Sequence, residues 1–207
     1  MSSIAENLER IRGRIGDAQL VAVTKGVPPE RIEEAVAAGQ LLFGENRVQE
    51  AKAKIPVVSS RARWHMVGHL QSNKARDAVA LFELIHSVDS VSLAEELNKW
   101  AGRAGKTQAI LLEVNVSGEA SKFGFQPEDV ERALEQINRL ARVEVRGLMT
   151  VPPLGKDPRP YFRQLREMRD RLGLRELSMG MSQDFEIAVE EGATMVRIGT
   201  AIFGERT

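Results

Sequence analysis

The first residue with the means to do chemistry is a lysine at the end of an apolar run. Leu-Val-Ala-Val-Thr-Lys, residues 20–25, reads as a strand that delivers the Lys25 ammonium beside apolar neighbours. Desolvation at such a place disfavours the charged form, lowers the lysine pKa and leaves an amine able to attack a carbonyl. A solvated lysine at a strand end is the plainer alternative.

A second set suits a phosphate. Ser-Met-Gly-Met-Ser, residues 178–182, and Val-Arg-Ile-Gly-Thr-Ala-Ile-Phe-Gly, residues 196–204, each close an apolar run. Gly199 lets the backbone approach a ligand, and the N–H groups around Thr200, with the hydroxyls of Ser182 and Thr200, supply donors. The same glycines also suit tight strand-to-helix turns. Arg197 stands on an otherwise apolar strand, where an unpaired charge is costly. It must therefore meet an anion or a hydrogen-bond acceptor, an internal salt bridge with Glu113 being the plain case.

Other polar residues fall at run ends with weaker signals. Glu45 and Asn46 close Phe-Gly-Glu-Asn, and His65, His69 and Lys74 surround Trp-His-Met-Val-Gly-His. Two histidines four apart resemble a metal spacing, but on a strand they do not converge, and no partner acid is evident. Met149 could pack against a flat ring or simply fill the core. Asp89 and Asn115 read as capping or loop residues. No Walker loop, G-x-S-x-G or G-x-G-x-x-G motif occurs.

These residues need elements to position them. Apolar runs bounded by turn residues start near Leu20, Leu41, Arg63, Glu83, Gln108, Val143, Glu176 and Thr194, and most are followed by a stretch of helical period. Strands alternating with helices predict a parallel sheet with right-handed crossovers, and eight units select a closed (β/α)₈ barrel over an open doubly wound sheet. Such barrels take about 250 residues with a floor near 200, so 207 residues predict one barrel domain over 1–207 with almost no insertions. The eighth run leaves no room for a closing helix, and a helix over residues 3–14 is expected to cover that side. In this fold the loops after the strands carry function, and the seventh and eighth form the usual phosphate corner. That places Lys25, Ser182, Gly199 and Thr200 on one face.

Composition narrows the function classes. With 43% hydrophobic and 28% charged residues the chain should fold around a full core. Lys plus Arg and Asp plus Glu both number 29, so no global field attracts nucleic acid or an anionic membrane. Zero cysteines exclude disulfides, thiolate metal sites and thiol nucleophiles, and fit a reducing compartment. No signal core or membrane span is present, and a cytoplasmic location is expected.

The runs VAVTKGVPPERIEEAVAAG, FGENRVQEAKAK, WHMVGHLQSNK, HSVDS, LLEVNVSGEASKFGF, RGLMTVPP and LSMGMSQDFEIAVEEGATMVRIGTAIFG together resemble the pyridoxal phosphate homeostasis family, the YggS/PROSC group, over nearly the whole chain. The resemblance implies a barrel similar to the alanine racemase N-terminal domain, holding pyridoxal 5′-phosphate (PLP) as an aldimine on Lys25. It also implies a phosphate held by Ser182 and the backbone at Gly199 and Thr200, Arg197 facing the pyridine nitrogen, and Asn46 lining the pocket. Racemases of the related fold add a second domain and a tyrosine base; here the single tyrosine, Tyr161, falls on an outer helix.

Three functions are then weighed. The first is a PLP binder in intracellular homeostasis without efficient catalysis, serving apo forms of PLP-dependent enzymes as a monomer. The second is a racemase-like PLP enzyme, and the third a cofactor-free Schiff-base aldolase. An arginine at the ring nitrogen argues against the second, and the resemblance argues against the third.

Overall fold

The computed structural model describes residues 3–119 and 122–204. Eight parallel strands close into a barrel in chain order: β1 Gln19–Val23, β2 Leu42–Glu45, β3 Arg63–Met66, β4 Leu84–Val88, β5 Gln108–Glu113, β6 Val143–Met149, β7 Glu176–Ser178 and β8 Met195–Ile198. All eight expected strands are present, and β8 closes on β1 with Val21 beside Arg197. The (β/α)₈ expectation holds, and the open-sheet alternative does not.

Helices form the outer layer. The first, α1 (Ile4–Arg12), is started by a reciprocal capping box between Ser3 and Glu6 and buries Ile4, Leu8 and Ile11. Next come α2 (Pro29–Ala37), α3 (Val48–Lys54), α4 (Ala75–Leu81) and α5 (Val91–Arg103). Ser90 caps α5, accepting the Leu93 N–H at 3.2 Å, and Leu93, Ala94, Leu97 and Ala101 make its inner face. Then follow α6 (Val130–Ile137), α7 (Arg159–Arg171), α8 (Phe185–Glu190) and α9 (Thr200–Phe203).

One expectation needs correction: a closing helix does exist. Gly199 ends β8, and Thr200–Phe203 make a single helical turn, α9. That turn is too short to cover the β8–β1 side alone, so α1 packs there too, with Asn7 Nδ2 donating to the Ile202 carbonyl at 3.0 Å. The cover expected from residues 3–14 is supplied by Ile4–Arg12.

Strand alternation sorts the side chains into two cores. Leu20, Ala22, Val196 and Ile198 belong to the large core between barrel and helices. Val21, Leu84, Ala109, Leu111, Met149 and Met195 form a separate small cluster filling the barrel. Following the same alternation towards the strand ends leads to residues 25, 46, 113 and 199. The inward row of β1, β2, β5 and β8 thus runs on into the mouth.

Candidate functional site

Four consecutive strands around the barrel, β7, β8, β1 and β2, carry the residues singled out from sequence. Lys25 stands in the turn after β1, half-buried. Gly199 lies beside the end of β1, and a Cβ added to it would meet the Val23 carbonyl oxygen at 3.0 Å. A side chain there would crowd the backbone two residues before Lys25. Ser182, after β7, accepts the Ala201 N–H on Oγ at 3.3 Å, which ties the β7 loop to the turn containing Gly199 and Thr200. Lys25, Ser182, Gly199 and Thr200 therefore share one mouth.

Asn46 follows β2 and borders a cleft also lined by Arg47, Met66, Gly68, His69 and Lys74. Its side-chain oxygen is buried without a hydrogen-bond partner among the described residues. An unpaired buried acceptor is costly, and a donor on a bound molecule would relieve it.

Arg197 is buried on the inner face of β8. Its guanidinium donates from Nη1 to Ser178 Oγ at 2.6 Å and from Nη2 to the Thr150 carbonyl at 2.9 Å. The expected acceptors are there, but not as a salt bridge with Glu113: no carboxylate stands within ion-pair distance of Arg197 among the described residues. Burial pulls the Arg197 pKa down to about 10, against the pull of Glu113 and Asp184. Burial also pushes Glu113 up to about 7, helped by Asp89 and opposed by Arg197. The barrel thus holds a cation matched by neutral acceptors.

The polar chain continues beyond Ser178, and sequence reasoning missed it. His86 Nδ1 lies 2.7 Å from Ser178 Oγ, and His86 Nε2 lies 2.9 Å from His65 Nδ1. Arginine can only donate, so Ser178 Oγ accepts from it. The hydroxyl hydrogen is then available to His86 Nδ1, and with His86 protonated on Nε2 and bonded to His65 Nδ1 every donor points away from Arg197; this tautomer is assigned from the hydrogen-bond pattern. His65 and His69 do not form a metal pair. His65 faces His86, whereas His69 meets Asp89 at 3.2 Å and stacks on Phe123 with ring centroids 3.7 Å apart. No group of metal-ligating residues occurs among the described residues. Met149 is barrel filler, and Asn115 serves its own loop by donating to the Glu119 carbonyl at 2.9 Å.

The two histidines predict a pH effect. Burial depresses both, His65 to about 3 and His86 well below its ordinary value of 6.5, with neighbouring positive charge adding to the effect. As pH falls through 6.5 the unfolded chain takes up two protons that the folded chain refuses. Stability should fall by about 1.4 kcal/mol per pH unit for each histidine. Glu113, Glu45 and Glu176, all raised by burial, take up protons in the folded state first and oppose the histidines down to their ordinary value of 4.5. Imidazole nitrogen NMR should find both rings still neutral at pH 5. Charged rings at that pH would refute the assignment.

Comparison with known proteins agrees with this geometry. The alanine racemase N-terminal domain family matches residues 1–207. A pyridoxal phosphate homeostasis protein of Aquifex aeolicus is 44% identical over 220 residues, covering 100% of this chain and 96% of its own. PipY of Synechococcus elongatus PCC7942 superposes with a TM-score of 0.92 without PLP, at 45% identity over 98% of this chain and 100% of its own. With PLP bound its TM-score is 0.90 at 44% identity over the same shares. An alanine racemase of Clostridium difficile 630 shares the fold, with a TM-score of 0.79 at 16% identity over 98% of this chain and 56% of its own.

Proposed function

The chain belongs to the pyridoxal phosphate homeostasis proteins of the alanine racemase N-terminal domain family, and from that premise we propose that it binds PLP and keeps it available inside the cell without efficient turnover. Pyridoxal phosphate, when bound, supplies an aldehyde for a lysine and a ring that can withdraw electrons. The residues present fit it. Lys25 offers an amine at the mouth, Asn46 an unsatisfied buried oxygen, and Ser182 with the Gly199–Thr200 turn a set of donors beside them. The barrel over 1–207 is the cofactor-binding unit in this reading.

The observation that carries the reading is Arg197. A guanidinium cannot lose its proton to a ring nitrogen, and Ser178 and Thr150 hold it in the barrel wall. Facing the pyridine nitrogen, it leaves that atom unprotonated and the ring a weak electron sink, so a carbanion next to it is poorly stabilised. Tyr161, the single tyrosine, lies in the first turn of α7 and packs against the core between barrel and helices. A racemase base is not supplied from there.

Incubating the PLP-loaded protein with L-amino acids in D₂O tests the reading. Exchange of the α-proton followed by NMR should be no faster than with free PLP. Fast exchange, lost on replacing Lys25, would make the protein an amino-acid enzyme instead.

Ser182→Ala should weaken PLP by about 1.5 to 3 kcal/mol, the worth of a hydrogen bond to a charged group, and leave unphosphorylated pyridoxal nearly unaffected. Equal losses for both ligands, measured by titration, would remove Ser182 from the phosphate site. In the same reading the protein acts in the cytoplasm as a monomer, with apo forms of PLP-dependent enzymes as recipients. No helix among the described residues is long and apolar enough to cross a membrane.

A further inference from the structure

Both peptide groups that flank Lys25 are held by one ion cluster. Lys54, at the end of α3, donates from Nζ to the Thr24 carbonyl at 2.7 Å, to Glu45 Oε1 at 2.8 Å and to Glu50 Oε2 at 3.1 Å. The same Glu50 oxygen accepts the Gly26 N–H at 3.0 Å. Glu45 Oε1 also accepts the Thr24 hydroxyl at 2.6 Å. The carbonyl entering Lys25 and the N–H leaving it are thus tied to one another through two side chains of the neighbouring βα unit.

The cluster is built at a cost that packing alone does not require. The Lys54 side chain is 10% exposed and that of Glu45 is fully buried, and an apolar group of the same volume commonly serves a core as well as a buried ion pair. Glu45 keeps its second carboxylate oxygen buried without a partner among the described residues, and burial raises its pKa against the pull of Lys54 and Thr24. What an ammonium offers that a methylene cannot is three directed donors, and all three are used.

We propose that Lys54 and Glu50 are positioning residues for Lys25: by fixing the two adjoining peptide planes they set the direction in which its side chain leaves the backbone and enters the mouth. The inference rests on the reading that Lys25 carries the cofactor. In the linkage a carbon–nitrogen double bond forms between Nζ of the neutral amine and the aldehyde carbon, while the aldehyde oxygen leaves as water with the two amine hydrogens. Reach and angle decide that equilibrium, and a misplacement of about 1 Å can cost on the order of 100-fold.

The test uses Lys54→Met and Glu50→Ala, each alone and combined with Lys25→Ala. Two ligands are titrated: PLP, followed by its visible band, and pyridoxamine 5′-phosphate, whose amine cannot join a lysine. Each variant should lose between about 10- and 100-fold in apparent affinity for PLP and keep its affinity for pyridoxamine 5′-phosphate. In the Lys25→Ala background neither should weaken PLP any further. Equal losses for both ligands would reduce the cluster to a structural role and overturn the proposal, as would unchanged PLP binding. Glu50 is 31% exposed in its side chain, so Glu50→Ala decides the matter even where Lys54→Met does not fold. Failure of the underlying reading looks different: Lys25→Ala would then keep the visible band.

Discussion

Lys25→Ala should abolish the visible band of the lysine-linked cofactor and leave the barrel folded. Lys25 lies in a half-buried turn after β1 and outside both hydrophobic clusters, so truncating it opens no cavity in the core. The donors proposed for the phosphate belong to β7 and β8 and are untouched. PLP should still bind, more weakly, without the covalent link. Borohydride reduction of the loaded parent protein, followed by peptide mapping, should place the pyridoxyl group on the peptide containing Lys25. An adduct found only on Lys74 or Lys122 would sink the assignment. Lys74 borders the cleft near Asn46, and the Lys122 ammonium is buried with Glu119 at 3.8 Å as its one ion partner among the described residues, so both are real competitors.

The strand runs and glycines make the mouth legible in the sequence. Apolar runs at eight places can be read locally, because each strand's inward and outward rows are written in consecutive residues. Lys25, Ser182 and the Gly199 turn were legible for the same reason: each sits just past such a run. The histidine chain was not. His65, His86, Ser178 and Arg197 come from four strands, the histidines 21 positions apart in sequence and His86 and Ser178 92 positions apart. Nothing local links them, and the one histidine close to His65 in sequence is His69. A polar residue at an inward position of each strand was the available signal. Lys54 was hidden differently. In Glu-Ala-Lys-Ala-Lys it reads as one more solvated helix lysine, and only the closure of β1 beside β2 brings it under Thr24. The α9 turn escaped because Thr-Ala-Ile-Phe continues the apolar run of β8 without a visible break other than Gly199.

Gly147→Ala should destabilise the barrel more than any substitution at the mouth, although Gly147 touches no ligand. It faces Glu176 across the β6–β7 pairing, and a Cβ there would overlap the Glu176 carbonyl oxygen and sit 2.6 Å from its carbon. Those are backbone atoms, so no rotamer change relieves the contact; β7 itself has to move. β7 is the shortest strand of the barrel. It has three residues, pairs with β6 over Glu176, Leu177 and Ser178, and registers with β8 at Ser178 and Met195, with the Thr194 N–H donating to the Leu177 carbonyl and the Met179 N–H to the Met195 carbonyl on either side. Overpacking at about 1–3 kcal/mol, added to two or three strained ladder bonds at about 1 kcal/mol each, gives an expected loss of about 3–6 kcal/mol. Shifting β7 also carries Ser178 away from Arg197 and His86, so protein that still folds should bind PLP less tightly. Gly102→Ala is the matched control. Gly102 is exposed on α5, where an added Cβ meets only the Arg142 side chain at 3.7 Å, and alanine there should stabilise the helix by about 0.5–1 kcal/mol. Urea unfolding of the two variants should move the midpoint in opposite directions. A Gly147→Ala chain as stable as the parent would mean that β7 is free to slide, and the rigid link from the barrel wall through Ser178 to Arg197 would then no longer account for how that arginine is held.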